Sequence, residues 1–270
     1  MSTGEHTSGQ SEPQSPSAAR IYDYLLGGFY NFEVDRVVAQ RISKALPEMP
    51  LFMRANRAFL RRVVTFLVDQ GIDQFLDLGS GIPTVGNVHQ IAQKANSSAR
   101  IVYVDNEPVA VKHSETILQE NLKATVIQAD IRQPEVILGH PEVRRLLDLN
   151  KPTAVLLLSV LLFVTDDEAH RLVRAIRDAL APGSYVAISH PTADATPPEQ
   201  AKQTLKVYDS IGVPVWVRSY DQVEKFFEGL ELVEPGLVHL PVWKPESSGD
   251  LYLEKPHKSG YYAGVGRKEA

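Results

Sequence analysis

The sequence predicts an α/β fold, in which a mostly parallel sheet has helices on both faces. Five short apolar runs alternate with helical segments between residues 74 and 190. Two further strand-like runs, 230–238 and 261–267, follow near the end of the chain. Together these observations predict one sheet of seven strands, preceded by an N-terminal helical extension.

The five apolar runs are the predicted parallel strands. They are QFLDL, RIVYVD, ATVIQAD, TAVLLLSV and SYVAISH, which begin at residues 74, 100, 124, 153 and 184. Helices are predicted over residues 85–94, 108–121 and 166–180, and two later helices end near Gly212 and Gly229. Thr165 and Glu168 are spaced as a capping box, so the helix over 166–180 is the most clearly delimited.

The first 71 residues differ in composition from the rest of the chain. Residues 1–17 have almost no apolar side chains, which predicts a disordered tail. Residues 18–71 contain two stretches of helical periodicity and are interpreted as a helical extension or lid. Residues 72–270 then form the core domain that contains the sheet.

Composition and charge exclude several classes of function. The chain has 270 residues and a formal charge of −5, which does not favour a nucleic-acid-binding surface. Cysteine is absent and the eight histidines show no His-x-x-x-His spacing, so no metal site is expected. Without a secretion signal or an apolar run of membrane-spanning length, the sequence predicts a cytoplasmic protein with no membrane partner.

A glycine-rich loop, FLDLGSGIPTVG over residues 75–86, follows the first predicted strand. Thr84 stands where the dinucleotide fingerprint requires its third glycine, and no Gly-Lys-Ser/Thr follows, so both phosphate-binding motifs are incomplete. Asp77 would repel a pyrophosphate, but its carboxylate can accept hydrogen bonds from an ammonium group. The loop therefore favours a cationic amino-acid ligand, although a simple glycine turn also suits it.

Two more acids follow the second and third predicted strands. Asp105 lies 26 residues after Gly79, where a carboxylate can bind ribose hydroxyls. Asp130 can accept the exocyclic amine of adenine while Ile131 packs on the ring. Each acid taken singly also suits an ordinary turn. Together with Asp77, however, they occupy the carboxyl ends of consecutive strands, where open α/β sheets bind ligands.

This set of acids resembles that of the class I S-adenosylmethionine-dependent methyltransferases, whose seven-stranded sheet ends in an antiparallel strand. The resemblance implies S-adenosylmethionine as cofactor and S-adenosylhomocysteine as product. The implied cofactor-binding residues are Asp77, Gly79, Ser80, Gly81, Asp105, Asn106, Asp130, Ile131 and Ser159. Pro83 departs from the family pattern, because a third glycine is often found at this position.

A closer resemblance rests on motifs along most of the chain. They are SAARIYDYLLGGFYNFEVDR from residue 17, ANRAFLRR from 55, LDLGSGIPTVGNVH from 76 and FFEGLELVEPG from 226. These motifs are similar to those of the S-adenosyl methyltransferase family long known as a domain of unknown function. The resemblance implies a methyltransferase fold and bound S-adenosylmethionine, but no particular acceptor.

Candidates for the remaining site residues lie mainly in the N-terminal segment. Aromatic and polar residues surround a possible lid hinge, and the predicted substrate or lid residues are Tyr22, Asp23, Gly27, Gly28, Tyr30, Asn31 and Arg57. Tyr22, Asp23 and His190 are the candidates for a catalytic role, and His190 is the residue type best suited to a general base. For the tyrosines, His190 and Arg57, packing or solvation is the competing interpretation.

The leading functional hypothesis is methyl transfer to a small-molecule acceptor. Ser159 begins the run Ser-Val-Leu-Leu, whereas nucleic-acid amino-methyltransferases carry an Asp/Asn-Pro-Pro-aromatic motif at this point, so a base amine is a disfavoured acceptor. A non-catalytic S-adenosylmethionine-binding protein is the alternative that shares nearly all of the same residues. A nicotinamide-dependent oxidoreductase is a further alternative, because Asp105 would also suit that ribose.

Overall fold

A central sheet lies between two layers of helices in the computed structural model, which describes residues 13–83 and 86–270. The strands are β1 Gln74–Leu78, β2 Arg100–Asp105, β3 Ala124–Gln128, β4 Ala154–Leu158, β5 Tyr185–Pro191, β6 Glu231–Leu232, β7 Val238–His239 and β8 Tyr261–Arg267. The helices are α1 Ala18–Leu25, α2 Glu33–Ala45, α3 Met49–Asp69, α4 Val88–Ala95, α5 Pro108–Leu118, α6 Pro134–Gly139, α7 Pro141–Leu146, α8 Asp166–Ala179, α9 Pro198–Ser210 and α10 Tyr220–Glu224.

The sheet has the strand order β3-β2-β1-β4-β5-β8-β6, with β7 also paired to β8. Strands β1 to β5 are parallel, and β8 runs antiparallel to β5. The predicted mostly parallel sheet with an antiparallel last strand is therefore confirmed. The order reverses between β1 and β4, which creates the switch point at which open α/β sheets bind ligands.

Both faces of the sheet are buried, so its central strands are apolar throughout. On one face, Phe75 of β1 packs with the cluster that includes residues of α1, α2, α3 and α4. On the other face, Leu76 and Leu78 pack with residues of α6, α7 and α8. Trp243 is fully buried and packs edge-on against Phe59.

Helix α3 joins the N-terminal helices to the sheet. Its residues Phe59 and Val63 are fully buried in the same cluster as Phe75. Arg62, also buried, donates from Nε to the Trp243 carbonyl and from Nη2 to the Leu240 carbonyl, both at 2.9 Å. The boundaries predicted near residues 17 and 71 remain predictions, and residues 1–12 of the predicted tail lie outside the described residues.

Several elements differ from those expected from the sequence. The run over 230–238 is not one strand but the short β6 and β7, because Pro235 offers no N–H to a ladder and Gly236 turns the chain with a φ of +85°. The predictions also missed α6 and α7, which Pro134 and Pro141 begin from their favoured first-turn position. The helix expected over 85–94 begins at Val88, and Thr84 and Val85 are not among the described residues.

The capping box predicted at the start of α8 is present, and a second one is found at the start of α10. Thr165 pairs reciprocally with Glu168 in the first, and Ser219 pairs with Gln222 in the second. Within the two described ranges, no helix is long and apolar enough to cross a membrane.

Candidate active site

A cavity of about 560 Å³ lies at the carboxyl ends of the parallel strands, beside the switch point. This volume is within the range of small-molecule sites. The predicted site residues that line it are Tyr22, Arg57, Asp77, Gly79, Ser80, Gly81, Asp105, Asn106, Asp130, Ile131 and Ser159. The other predicted residues, Asp23, Gly27, Gly28, Tyr30, Asn31 and His190, are outside its lining.

The loop after β1 contains two glycines with different roles. Gly79 has a φ of +70°, and a Cβ added there would lie 2.1 Å from Cγ2 of Val160 in the loop after β4. Gly81 has a φ of +66°, but an added Cβ would meet nothing within 4 Å. Gly79 therefore allows two protein loops to pack together, whereas Gly81 borders open space.

Asp105, at the end of β2, holds this loop in place. Its Oδ2 accepts a hydrogen bond from the Gly81 amide at 2.7 Å, and its Oδ1 accepts one from the Glu107 amide at 2.9 Å. Burial raises the pKa of the Asp105 carboxyl. Because each carboxylate oxygen has more than one acceptor position, Asp105 can still accept hydrogen bonds from two ligand hydroxyls.

Asp77 and Ser80 provide a test of whether the loop fits an amino-acid group. Burial raises the pKa of Asp77 to about 7, although the Arg57 guanidinium opposes this shift. A cation beside Asp77 would favour the charged carboxylate again. The Ser80 Oγ is buried and has no hydrogen-bond partner among the described residues. A buried acid and an unpaired hydroxyl fit the ammonium and carboxylate of an amino-acid ligand.

Asp130, after β3, is already paired with a neighbour. Its Oδ2 accepts a hydrogen bond from Arg132 Nε at 2.9 Å, and the Arg132 side chain lowers the pKa of this carboxyl. Ile131 is nearly buried and lines the same part of the cavity. An adenine amine at Asp130 would therefore share the carboxylate with Arg132.

Ser159 directly follows β4 and has the left-handed φ of +56°. Its amide donates to the Ser189 carbonyl at 2.9 Å, and its Oγ lies 2.8 Å from the hydroxyl of Tyr261 on β8. Asn106 also lines the cavity, and its carbonyl accepts from Gln128 Nε2 at 3.4 Å. Sequence reasoning missed Tyr261, because its contact with Ser159 spans 102 residues of chain.

Tyr22 lines the cavity, and its hydroxyl belongs to a hydrogen-bonded chain that ends on β5. The hydroxyl accepts from Asn56 Nδ2 at 3.2 Å and donates to the Met53 carbonyl at 3.4 Å. Asn56 Oδ1 in turn accepts from Ser189 Oγ at 2.6 Å. Burial raises the pKa of Tyr22, so its hydroxyl stays neutral.

Asp23 organises the turn after α1. Its Oδ2 accepts hydrogen bonds from the Tyr30 amide and from Asn31 Nδ2, both at 2.9 Å. A Cβ added at Gly28 would lie 2.0 Å from Asp23 Oδ1, so only glycine fits beside this carboxylate. Gly27 completes the turn with a φ of +85°. These contacts give Asp23 a local role in the turn, and a hinge at this position remains a prediction.

His190 is buried outside the cavity lining. Because an arginine can only donate, Nε2 accepts from Arg218 Nη1 at 2.8 Å, and Nδ1–H donates to the Pro191 carbonyl at 2.8 Å. Burial lowers the pKa of this imidazole to about 3. With both nitrogens engaged, His190 is placed as a structural group. Arg218 also holds the loop after β4 through the carbonyls of Leu161 and Val164.

Three arginines on α3, Arg54, Arg57 and Arg61, lie in different surroundings. Arg57 donates to the Gly86 carbonyl at 2.9 Å and lines the cavity, whereas Arg54 is exposed and Arg61 pairs with Glu246. The helix predicted to end near Gly212 was given no site residues. Nevertheless, the lining includes Thr204, Leu205 and Tyr208 of α9 and the apolar residues Val213, Pro214, Val215 and Val217 that follow it. In the part of the chain described by the structure, no group of three or more potential ligands suits a metal ion.

Comparison with known proteins gives consistent matches. A model of the family described as S-adenosyl methyltransferase matches residues 5–269. A candidate methyltransferase from Thermobifida fusca YX is 42% identical, with a TM-score of 0.89 over 95% of this chain and 96% of that one. A DUF574 family protein from Streptomyces avermitilis MA-4680 is 37% identical, with a TM-score of 0.90 over 94% and 98% of the two chains.

More distant structures share the fold alone. An O-methyltransferase family protein from Burkholderia thailandensis is 12% identical, with a TM-score of 0.54 over 92% of this chain and 64% of that one. A comparison with curated proteins finds no match.

Proposed function

The chain belongs to the S-adenosyl methyltransferase family, and on that premise we propose that it transfers a methyl group from S-adenosylmethionine to a small-molecule acceptor in the same cavity. The observation that carries this proposal is the meeting of Asp77, Asp105 and Asp130 in one cavity that extends to Ser159 and α9. A nicotinamide-dependent oxidoreductase is not supported, because the family is one of methyltransferases.

Each of the three acids has a separate role in the proposed site. Asp77 and Ser80 would bind the amino-acid group of the cofactor, and Asp105 would bind its ribose hydroxyls. Asp130 and Ile131 would meet the adenine. Asp105 is the most direct of these assignments, because its carboxylate is held at the cavity by two backbone amides and retains free acceptor capacity.

S-adenosylmethionine, when bound, supplies a methyl group on a positively charged sulfur. The chain's own residues then have to align the acceptor and exclude water, which can supply a large part of the rate enhancement. His190 is poorly placed to remove a proton from the acceptor, since both of its ring nitrogens are engaged behind the cavity. The proposal therefore rests on alignment and makes no use of His190 as a base.

The proposal is tested by calorimetric titration with S-adenosylmethionine, S-adenosylhomocysteine and NAD. We expect micromolar binding of the adenosyl ligands and about 100-fold weaker binding to Asp105→Ala, because charge-assisted hydrogen bonds are each worth about 1.5–3 kcal/mol. Asp73→Ala is the matched control, since Asp73 precedes β1 and pairs with Arg100 outside the cavity lining. Asp105→Asn preserves the side-chain shape if the alanine variant proves unstable.

Unchanged affinity in both Asp105 variants, or binding of NAD alone, would contradict the proposal. Formation of S-adenosylhomocysteine on addition of an acceptor separates a methyltransferase from a protein that only binds the cofactor.

A further inference from the structure

The charged residues of the cavity lining come mainly from the ends of β1 to β3. Among the described residues they are Arg57, Asp77, Asp105, Glu107, Asp130 and Arg132. Five of the six belong to β1, to β2 or to the loops after β2 and β3, and Arg57 is close enough to Asp77 to lower the pKa of its carboxyl. We call this part of the lining, built by the ends of β1 to β3, the cofactor half.

The rest of the lining, which we call the acceptor half, comes mainly from α1, α9, residues 49–56 of α3, the loop after β4, the four residues Val213, Pro214, Val215 and Val217, and Tyr261. Its apolar lining includes Ile21, Leu25, Phe52, Leu162, Leu205 and Val215. Within the described residues, this half contributes no charged side chain to the lining. Arg57 lies close enough to Tyr22 to lower the pKa of its hydroxyl, but it also interacts with Asp77. A charged ligand that does not reach Arg57 would lose its hydration without gaining a counter-ion, so an ionic ligand is disfavoured.

The polar groups of the acceptor half are mainly hydroxyls, three of them from tyrosines. Burial raises the pKa of Tyr208 to about 12 and that of Tyr261 well above its ordinary value. Tyr22 and Tyr208 line the same cavity and raise the pKa of Tyr261 further. All three phenols therefore remain neutral and act as hydrogen-bonding groups.

A count of hydroxyl hydrogens shows which of these groups remain available. Ser159 and Tyr261 have two hydroxyl hydrogens between them, and the 2.8 Å contact that joins them uses one. The Tyr208 hydroxyl makes no hydrogen bond with any described residue, although Tyr208 lines the cavity. The acceptor half thus offers at least two neutral donors inside an uncharged and largely apolar wall.

We propose that the acceptor half binds an uncharged, largely apolar molecule whose hydroxyl or carbonyl oxygen is hydrogen-bonded by Tyr208 and by the Ser159–Tyr261 pair. This inference rests on the proposed function, because it identifies the ligand of this half with the methyl acceptor. It excludes substrates that carry a carboxylate, phosphate or ammonium group within the acceptor half. The chemistry required is that of a phenol, an apolar alcohol or a ketone.

The test uses three probes with one ring system, namely 2-naphthol, 2-naphthoate and naphthalene. Each is titrated by fluorescence into the full chain saturated with S-adenosylhomocysteine. We expect 2-naphthol to bind at least tenfold more tightly than 2-naphthoate. Tyr208→Phe should weaken 2-naphthol about fivefold, the value of one neutral hydrogen bond, and leave naphthalene unchanged. Tyr24→Phe is the control, since Tyr24 bonds Gln40 outside the cavity lining.

Equal or tighter binding of 2-naphthoate overturns the inference. So does a Tyr208→Phe variant that affects 2-naphthol and naphthalene alike, or the failure of all three probes to bind. A titration with S-adenosylhomocysteine alone separates a failure of this inference from a failure of the proposed function. If it binds and the probes do not, only the assignment of the acceptor fails; if it does not bind, the proposed function fails first.

Discussion

The two halves of the cavity hold their polar groups in different ways. In the cofactor half, Asp105 is fixed by the amide of Glu107, two residues away, and by the amide of Gly81 in the preceding loop. In the acceptor half, Ser159 is paired with Tyr261, and Asn56 with Ser189, across 102 and 133 residues of chain. The cofactor half is therefore assembled from the ends of adjacent strands, whereas the acceptor half depends on long-range packing.

The largest expected effect is on stability, and it tests the contact between the loop after β1 in the cofactor half and the loop after β4 in the acceptor half. Gly79→Ala should lower the free energy of unfolding by about 3 kcal/mol, because the residue has a positive φ and the new Cβ would overlap the stiff Val160 side chain. Gly81→Ala has the same backbone strain but open space around the Cβ, so about 1 kcal/mol is expected. Urea unfolding measures both. Equal losses would mean that the loops after β1 and β4 are not packed as described.

The next prediction compares how stability depends on pH through two groups, Asp77 in the cofactor half and His190 behind the acceptor half. Asp77 binds its proton at about pH 7 when folded, above its ordinary value of 3.8, so its contribution to stability falls as pH rises from about 4 to 7. His190, behind the acceptor half, has a folded pKa of about 3 against 6.5, so its contribution falls as pH drops from about 6.5 to 3. Between about pH 4 and 6.5, therefore, lowering the pH increases the contribution of Asp77 to stability and decreases that of His190.

Single variants separate these contributions. Relative to the unmodified chain, Asp77→Asn should lose stability on going from pH 6.5 to pH 5, by up to about 1.4 kcal/mol per pH unit. His190→Gln should gain relative stability over the same interval by a similar amount. Thermal unfolding at several pH values measures both slopes. A variant curve that runs parallel to that of the unmodified chain would show that the replaced side chain titrates normally when folded.

The smallest expected effect is that of Arg61→Ala, which tests whether the cofactor half ends at Arg57. Arg61 lies about one turn from Arg57 on α3, but its side chain is half exposed and paired with Glu246. Arg61→Ala should change stability by less than about 1 kcal/mol, as is usual for exposed ion pairs. It should alter the affinity for S-adenosylhomocysteine by less than twofold in calorimetry. A larger loss would extend the site beyond Arg57.

The same contrast between the halves explains which site residues can be predicted from the sequence and which cannot. Asp77, Asp105 and Asp130 were predicted because each lies at or near the carboxyl end of an apolar strand, and parallel strands bring such positions to one edge. Tyr208 and Tyr261 were missed, since nothing in their local sequence separates a cavity tyrosine from a packed one. The clamp between Arg218 and His190 was missed for the same reason, as it joins residues 28 positions apart through tertiary packing.

The contact between Gly79 and Val160 has a thermodynamic consequence for the two ligands. Val160 is stiff and nearly buried, so a ligand that displaces the loop after β4 also displaces the loop that carries Ser80. Occupancy of one half should then change affinity in the other, and linkage requires the two changes to be equal. We expect the affinity for S-adenosylhomocysteine to differ with and without saturating 2-naphthol. Identical values would mean that the two sites are energetically independent despite their shared wall.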